Sequence, residues 1–295
     1  MKTFEIFSKE IGLNMQMLDN YITFADKYYN TYYISKKNKS KKRKIDSPSK
    51  GLKGIQRWVL KNYFNNLPVA KRANGFISGR GIKRNAKYHI DKQFLLMIDI
   101  KDFFPSISQK MVYEALAKHF EDRELTLKLS KLCTYTRKLP QGAPTSPLLS
   151  NIVFKEIDEQ ISSFCNTKLV VYSRYADDLV FSSETKNTLS EVYAFVNNIF
   201  SKYPFNINHS KTRYLSRKGA MKVTGININE GRLTVSKEIK RNMRSMFYNY
   251  IVKTDTTVNI NSAVGYLSFI KDIEPDYYKK FLVYIDKLKH QNRKP

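Results

Sequence analysis

The sequence predicts an α+β protein in which a small antiparallel sheet carries acidic residues at its strand ends and amphipathic helices surround it. Three observations predict this. The apolar stretches Leu169-Val170-Val171-Tyr172 and Leu179-Val180-Phe181 flank Tyr175-Ala176-Asp177-Asp178, which reads as a β-hairpin with two carboxylates at its tip. The apolar run Phe94-Leu95-Leu96-Met97-Ile98 reads as another strand, ended by Asp99 and broken by Phe103-Phe104-Pro105. After Ser236 the periodicity is helical. Ile239, Met243, Phe247 and Tyr250, then Val264, Leu267 and Ile270, then Phe281, Leu282, Ile285 and Leu288 mark three amphipathic helices.

The remaining elements follow in chain order. The densest charge run, Lys36-Lys37-Asn38-Lys39-Ser40-Lys41-Lys42-Arg43-Lys44, reads either as a solvated arm or as the entry to a folded element that presents its charge to phosphate. A helix follows with Leu52, Ile55, Trp58, Val59 and Tyr63 on one face. Gly75, Gly79 and Gly81 punctuate a loop without the spacing of a nucleotide-binding glycine fingerprint. Ser108 is placed to cap a helix carrying Met111, Val112, Ala115, Leu116 and Phe120, and Leu125, Leu129 and Leu132 mark the next helix. One helix from about Pro147 turns Leu149, Ile152, Val153, Ile157 and Ile161 inward and delivers the chain to the hairpin, and another carries Val192, Phe195, Val196 and Ile199. Residues 222–228 then read as a strand, Asn229-Glu230-Gly231 as a turn and Leu233-Thr234-Val235 as the returning strand.

The 295 residues suffice for one large or two smaller globular units, and 42% of them are hydrophobic, enough for a sizeable core. Lysine and arginine number 52 against 26 acidic residues, a net charge of +26 whose self-repulsion calls for a polyanionic partner. Lys237, Lys240, Arg241 and Arg244 crowd the first C-terminal helix, which is thereby suited to lie along a nucleic-acid backbone. Two cysteines, Cys133 and Cys165, argue against a disulfide framework or a zinc site. The absence of a signal peptide and of a membrane-length apolar run predicts a soluble cytoplasmic protein with no membrane partner. His89 and His209 have no second His or Cys at ligand spacing and read as structural or RNA-contacting residues.

Asp99, Asp177 and Asp178, at two strand ends, can share one site. Joining a nucleotide to a 3′ or 2′ hydroxyl requires an activated oxygen, a stabilised phosphorus and a neutralised pyrophosphate. Two Mg²⁺ ions about 3.5–4 Å apart, held by hard oxygens from different chain segments, supply all three, with Mn²⁺ as a substitute. Asp99 and Asp177 are the bridging candidates, Asp178 lies beside them, and the Ile100 carbonyl is an extra ligand. An Asp pair alone also suits an ordinary turn. The weight lies in the order of elements: Asp99 with Phe104 five residues on, Leu139-Pro140-Gln141-Gly142-Ala143-Pro144-Thr145-Ser146-Pro147, Tyr175 to Asp178, then Lys211.

With these motifs in this order the chain resembles reverse transcriptases over roughly residues 41–290. The resemblance implies a right-hand fold: an N-terminal region and fingers over 1–92, a palm over 93–235 with inserted fingers helices at about 110–143, and a helical thumb over 236–295. It implies that Phe104 shields the sugar 2′ position and excludes ribonucleotides. It also implies that Gln141 and Gly142 line the pocket for the incoming dNTP, and that Lys211 lies near the triphosphate and helps pyrophosphate leave. Arg43 and Lys44 fall where the family has a basic fingers strand that grips the triphosphate.

Two further segments resemble bacterial retron reverse transcriptases in particular. Asn85-Ala86-Lys87-Tyr88-His89 matches an Asn-Ala-x-x-His segment and Val223-Thr224-Gly225 a Val-Thr-Gly segment. The resemblance implies that Asn85, His89, Val223, Thr224 and Gly225, together with Lys240, Arg241 and Arg244, contact RNA. It implies a cognate structured noncoding RNA as template and 2′-OH primer, and a branched multicopy single-stranded DNA as product. A toxin-like effector from the same operon, a role in anti-phage defence and a host RNase H acting in trans are implied partners and setting. Two other readings stand beside it: an abortive-infection reverse transcriptase that polymerises without a template, and an RNA-binding scaffold without catalysis.

Overall fold

The structure, a computed structural model, describes residues 2–35 and 42–291, so residues 36–41 of the basic run lie outside it. β1 (Tyr29–Ser35) and β2 (Lys42–Pro48) form an antiparallel hairpin with Tyr29 opposite Pro48 and Ser35 opposite Lys42. The central sheet contains β3 (Phe94–Lys101), β4 (Val171–Tyr175), β5 (Asp178–Ser183), β6 (Asn206–Ile207) and β7 (Arg213–Ser216). β4 pairs with β5 and β5 with β3, while the far edge of β3 is shared by β7 and β6; every pairing is antiparallel. A short hairpin, β8 (Lys222–Val223) and β9 (Ile226–Asn227), leads to the C-terminal helices.

The strands alternate sides with period two, which gives the sheet two buried faces. Leu96, Ile98, Tyr172, Leu179 and Phe181 join the main core with Leu149 and Ile152 of helix Ser146–Val153, Ile157 and Ile161 of helix Lys155–Thr167, and Val192 and Val196 of helix Lys186–Phe200. Leu95 and Val180 point the other way. They enter a second core with Ala86, Val223, Ile226, Met243, Phe247, Ile270 and Phe281. The three C-terminal helices, Lys237–Ile251, Ile260–Ile273 and Pro275–Gln291, are therefore joined to the sheet face on which Asp99 and Asp178 also lie.

Local signals account for several helix ends. Ser108 caps helix Gln109–Ala117 by accepting from the Met111 amide, and Ser236 caps the first C-terminal helix through Ile239. Two N-terminal helices, Phe4–Ile11 and Met15–Thr23, are additional to the sequence expectation; Thr3 and Asn14 cap them, and Phe4, Phe7, Leu18 and Ile22 pack into the main core.

Three boundaries differ from the sequence expectation. The helix expected from Pro147 breaks at Phe154, whose ring makes edge contacts with Phe103, Phe200 and Phe205 at 5.6, 6.1 and 5.1 Å. Leu169 leaves the hairpin strand: it is 87% exposed with φ +54° in the turn after the helix, and β4 begins two residues later. Residues 222–228 fold on themselves, because Thr224 (φ +48°) and Gly225 (φ +86°) form the paired left-handed turn of a two-residue hairpin. The Asn229-Glu230-Gly231 turn then returns the chain to a single bridge between Asn227 and Thr234.

Candidate active site

The acidic residues are positioned by strand register. Asp99 of β3 lies directly opposite Asp178 of β5, and the Ile100 amide donates to the Asp177 carbonyl at 2.9 Å. That pattern makes Asp99 and Asp178 a non-hydrogen-bonded pair, the antiparallel arrangement in which facing Cα atoms approach to roughly 4.5 Å and side chains share one side. Asp177 sits one residue earlier in the two-residue turn between Tyr175 and Asp178.

Like charges this close disfavour ionisation. Burial, followed by the charges of Asp177 and Asp99, pushes the Asp178 carboxyl up to about 6. Burial and Asp99 likewise raise Asp177, against its own backbone hydrogen bond and the opposing charges of Lys211 and Arg43. Asp99 is compensated differently. Its Oδ1 accepts from Asn208 Nδ2 at 2.8 Å and its Oδ2 from Lys211 Nζ at 2.7 Å, and the Asp99 hydrogen bond holds the Lys211 ammonium above its ordinary pKa. Among the described residues no group of three or more His, Cys, Asp or Glu converges as ligands around a cation. The three carboxylates are gathered, with Asp99 turned to Lys211 and Asn208. Their hard oxygens suit Mg²⁺ in type, and Asp99 has to exchange the Lys211 ammonium for a cation to join them.

Of the residues expected to hold a nucleotide, Lys211 touches this centre and Arg43 acts on it through its charge. The Phe104 ring is 5.7 Å from Phe103 and 6.1 Å from Phe76, whose ring is 6.4 Å from Tyr175. Phe76 was absent from the sequence expectation; it is 46% exposed in a left-handed backbone (φ +63°), and its position directly after Gly75 in a glycine-rich loop is the one signal it gives. The Gln141 carbonyl accepts from the Asp46 amide of β2 at 3.0 Å. At Gly142 (φ +145°) any Cβ would sit 2.6 Å from the Asp46 carbonyl oxygen, so glycine lets this loop seat against β2. Lys44, on β2, pairs with Asp46 at 3.0 Å, while Arg43 is exposed and lowers the Asp177 pKa across the cleft.

Several expected RNA contacts are corrected by burial. Asn85 and His89, on and just after helix Ile82–Lys87, are fully buried, as is Val223. His89 bridges Ser182 through Nδ1 and Ser173 through Nε2, both at 2.7 Å, and burial depresses its pKa to about 3, so the ring is neutral. Asn85 Oδ1 accepts from Asn74 at 3.2 Å. His89 thus ties β4 to β5 on the sheet face that Asp178 shares with Ser182, and the Asn85, His89 and Val223 side chains are sealed from solvent. Lys240 is also engaged internally, paired with Glu274 at 2.8 Å and stacked 4.3 Å from the Tyr277 ring. Arg241 and Arg244 are exposed, Gly225 is exposed and Thr224 is partly so; Thr224 Oγ1 donates to the Ile82 carbonyl at 3.2 Å. His209, the other histidine singled out, lies beside the Tyr193 hydroxyl at 2.9 Å. Cys133 and Cys165 are free and buried, and none of the described helices is long and apolar enough to cross a membrane.

Comparison with known proteins agrees with this geometry. Residues 34–228 match the family described as reverse transcriptase (RNA-dependent DNA polymerase). The chain is 31% identical to the retron Ec86 reverse transcriptase of Escherichia coli, over 98% of this chain and 90% of that protein. It is 32% identical to the retron Ec83 reverse transcriptase of Escherichia coli, over 86% and 85% respectively. Against the retron Mx65 reverse transcriptase of Myxococcus xanthus the identity is 29%, over 93% and 69%. Among solved structures, telomerase from Candida albicans in complex with a TWJ fragment of telomeric RNA superposes with a TM-score of 0.52 at 13% identity, over 95% of this chain and 65% of that one. Apo telomerase from Candida tropicalis gives 0.52 at 13%, over 90% and 61%. The chain thus spans less than two thirds of each telomerase, and the likeness is one of fold: the right hand of fingers, palm and thumb.

Two outcomes follow from the electrostatics and the buried polar contacts. Because the folded Asp178 carboxyl titrates above its ordinary range, its favourable protonated form is present at low pH and lost as pH rises through about 6. Asp178→Asn should therefore raise the thermal midpoint at about pH 7.5 in EDTA, with the gain shrinking by about pH 5, and Mg²⁺ should stabilise the wild type more than the variant. His89→Leu strands the Ser173 and Ser182 hydroxyls and should cost about 2 kcal/mol in chemical denaturation while leaving RNA affinity of the folded protein unchanged in filter binding.

Proposed function

Because the chain belongs to the reverse transcriptases of bacterial retrons, and so is an RNA-directed DNA polymerase, we propose that it copies part of a structured noncoding RNA of its own operon. Synthesis starts from the 2′-OH of one guanosine and leaves a branched multicopy single-stranded DNA. The setting is anti-phage defence beside an effector protein. The observation that carries the chemical part of this reading is the register that sets Asp99 opposite Asp178, with Asp177 at the adjoining turn.

In this reading Asp99, Asp177 and Asp178, with the Ile100 carbonyl, hold two Mg²⁺ ions, which Mn²⁺ can replace. Ions held there would supply a more acidic attacking hydroxyl and charge neutralisation at the phosphorus and the departing pyrophosphate. Lys211, displaced from Asp99, turns its ammonium to the triphosphate, and Arg43 meets the same group from β2 with Lys44 beside it. Gln141 and Gly142 form the floor under the incoming dNTP. The Phe104 ring, backed by Phe103 and Phe76, occupies the space a ribose 2′-OH needs. The exposed Thr224-Gly225 turn and Arg241 and Arg244 of the first C-terminal helix face the RNA. Fingers, palm and thumb divide at about residues 92 and 235.

The Asp177→Asn, Asp178→Asn double variant should lose dNTP incorporation in a primer-extension assay and keep RNA binding, since binding rests on the basic surface; extension at the wild-type rate would leave the reading without a mechanism. Sequencing and branch mapping of copurified nucleic acid should find one DNA joined to a single guanosine 2′ position, whereas random-sequence DNA attached to protein would point to template-independent synthesis. Phe104→Ala should lower the dNTP-over-rNTP ratio of kcat/KM by about tenfold or more, and an unchanged ratio would place the gate elsewhere.

A further inference from the structure

The acidic turn has a strained backbone. Ala176, the first of the two residues between Tyr175 and Asp178, has φ +57°, while Asp177 does not share a positive φ. That combination belongs to the hairpin turn whose first position suits glycine, because a Cβ crowds the neighbouring carbonyl in left-handed backbone. An alanine stays there only if its surroundings hold it.

Arg174 supplies the hold. Its side chain is fully buried and projects from β4 on the face opposite Asp178. A guanidinium in that setting needs an acceptor for each of its nitrogens. Nε and Nη2 donate to the two carboxylate oxygens of Asp158 at 2.8 and 2.6 Å, and Nη1 donates to the Ala176 carbonyl at 2.9 Å. Asp158, on helix Lys155–Thr167, is itself fully buried and also accepts from the Tyr172 hydroxyl at 2.6 Å. The Phe154 ring lies 4.7 Å from the guanidinium carbon, at the helix break that faces the core.

Both carbonyls of the turn are thus taken: Ala176 by Arg174, and Asp177 by the Ile100 amide. A third contact closes the turn from the loop side. At Gly75 any Cβ would lie 2.7 Å from the Ala176 nitrogen, and the Gly75 carbonyl is fixed by Asn151 Nδ2 at 2.8 Å.

We propose that Arg174, anchored by Asp158, is a positioning residue that clamps the Ala176 carbonyl and thereby sets the direction of the Asp177 and Asp178 carboxylates. The proposal rests on the reading of this tip as the metal-holding end of a polymerase. A cation that filled the core alone would have no need to reach the turn. A clamp has a specific consequence: what Arg174 enforces, glycine at position 176 adopts without help.

The test is primer extension with Mg²⁺ titration on the full chain, with thermal melting of each variant. Arg174→Lys, which cannot bind both Asp158 oxygens and the Ala176 carbonyl, should lower kcat about tenfold or more with KM for dNTP within about twofold. It should also raise the Mg²⁺ concentration for half-maximal rate. Adding Ala176→Gly should restore a substantial part of kcat and of the Mg²⁺ response. Wild-type kinetics in Arg174→Lys, or a loss that Ala176→Gly does not relieve, would overturn the clamp. If Arg174→Lys does not fold, Gly75→Ala carries the test, because its Cβ displaces the turn and leaves the ion pair intact; the same kcat and Mg²⁺ changes are expected, and wild-type kinetics would overturn the proposal. An Asp177→Asn, Asp178→Asn control separates the two levels. Full activity in that control removes the metal-holding reading and the clamp with it, whereas an inactive control beside a normal Arg174→Lys removes the clamp alone.

Discussion

Two carboxylates placed opposite each other on neighbouring strands repel, and the rest of this structure can be understood as what keeps Asp99 and Asp178 there. At about 5 Å and an effective dielectric near 20, the cost of ionising both is on the order of 3 kcal/mol. No local preference of the chain repays that. The sheet does so by register: a slip of one residue would turn Leu95 and Val180 out of the second core and Leu96, Ile98, Leu179 and Phe181 out of the first. A sheet buried on both faces has no alternative pairing at comparable cost, so hydrophobic burial far from the acidic residues holds them in place. The rise in the Asp178 pKa reflects its burial first, and then the charges of Asp177 and Asp99.

Polar contacts then refine what the hydrophobic faces fix coarsely. From the second-core side the neutral His89 ring joins Ser173 of β4 to Ser182 of β5, and from the main-core side Arg174 joins β4 to helix Lys155–Thr167 through Asp158. The acidic hairpin is gripped on both faces by buried side chains whose hydrogen bonds are directional. Such groups are poor contributors to net stability compared with apolar residues of the same size, so their presence behind one hairpin is better explained by the geometry they impose. Helix Ile82–Lys87 extends that grip outward: Thr224 bonds its first residue and Lys83 bonds Asp272 of the second C-terminal helix.

Much of this was legible in the sequence because it follows from periodicity and caps. The strand ending near Asp99, the hairpin around Tyr175, the Ser108 cap and the three C-terminal helices each have a local signal, and the structure places them accordingly. What was illegible depends on partners distant in sequence. Phe154 breaks a helix with no glycine or proline to announce it, because Phe103, Phe200 and Phe205 capture its ring. Thr224 takes a left-handed turn that a β-branched residue disfavours, with Ile82 on the other side of the contact. Charge misled most. Among 52 lysines and arginines, sequence grouped Lys240 with Arg241 and Arg244 and gave no signal for Arg174, yet Lys240 is bound to Glu274, Arg241 and Arg244 remain exposed, and Arg174 is sealed in the core.

That sorting bears on how a strongly basic chain stays folded before its polyanion arrives. Lys211 occupies Asp99 as an internal counterion, and Arg43 contributes opposing charge to Asp177, so the acidic cluster and part of the basic excess neutralise each other across the cleft. The arrangement is reversible by design of the groups involved. An ammonium on a flexible stem gives up one carboxylate oxygen readily when a divalent cation with higher charge density competes for it, and the released lysine meets a cleft into which a triphosphate brings negative charge. Under the proposed function, cation and nucleotide entry would be linked through this one side chain, because each would draw Lys211 away from Asp99. In that reading the strands that direct the carboxylates stay fixed by register, and the charge that exchanges is the Lys211 ammonium on its flexible stem.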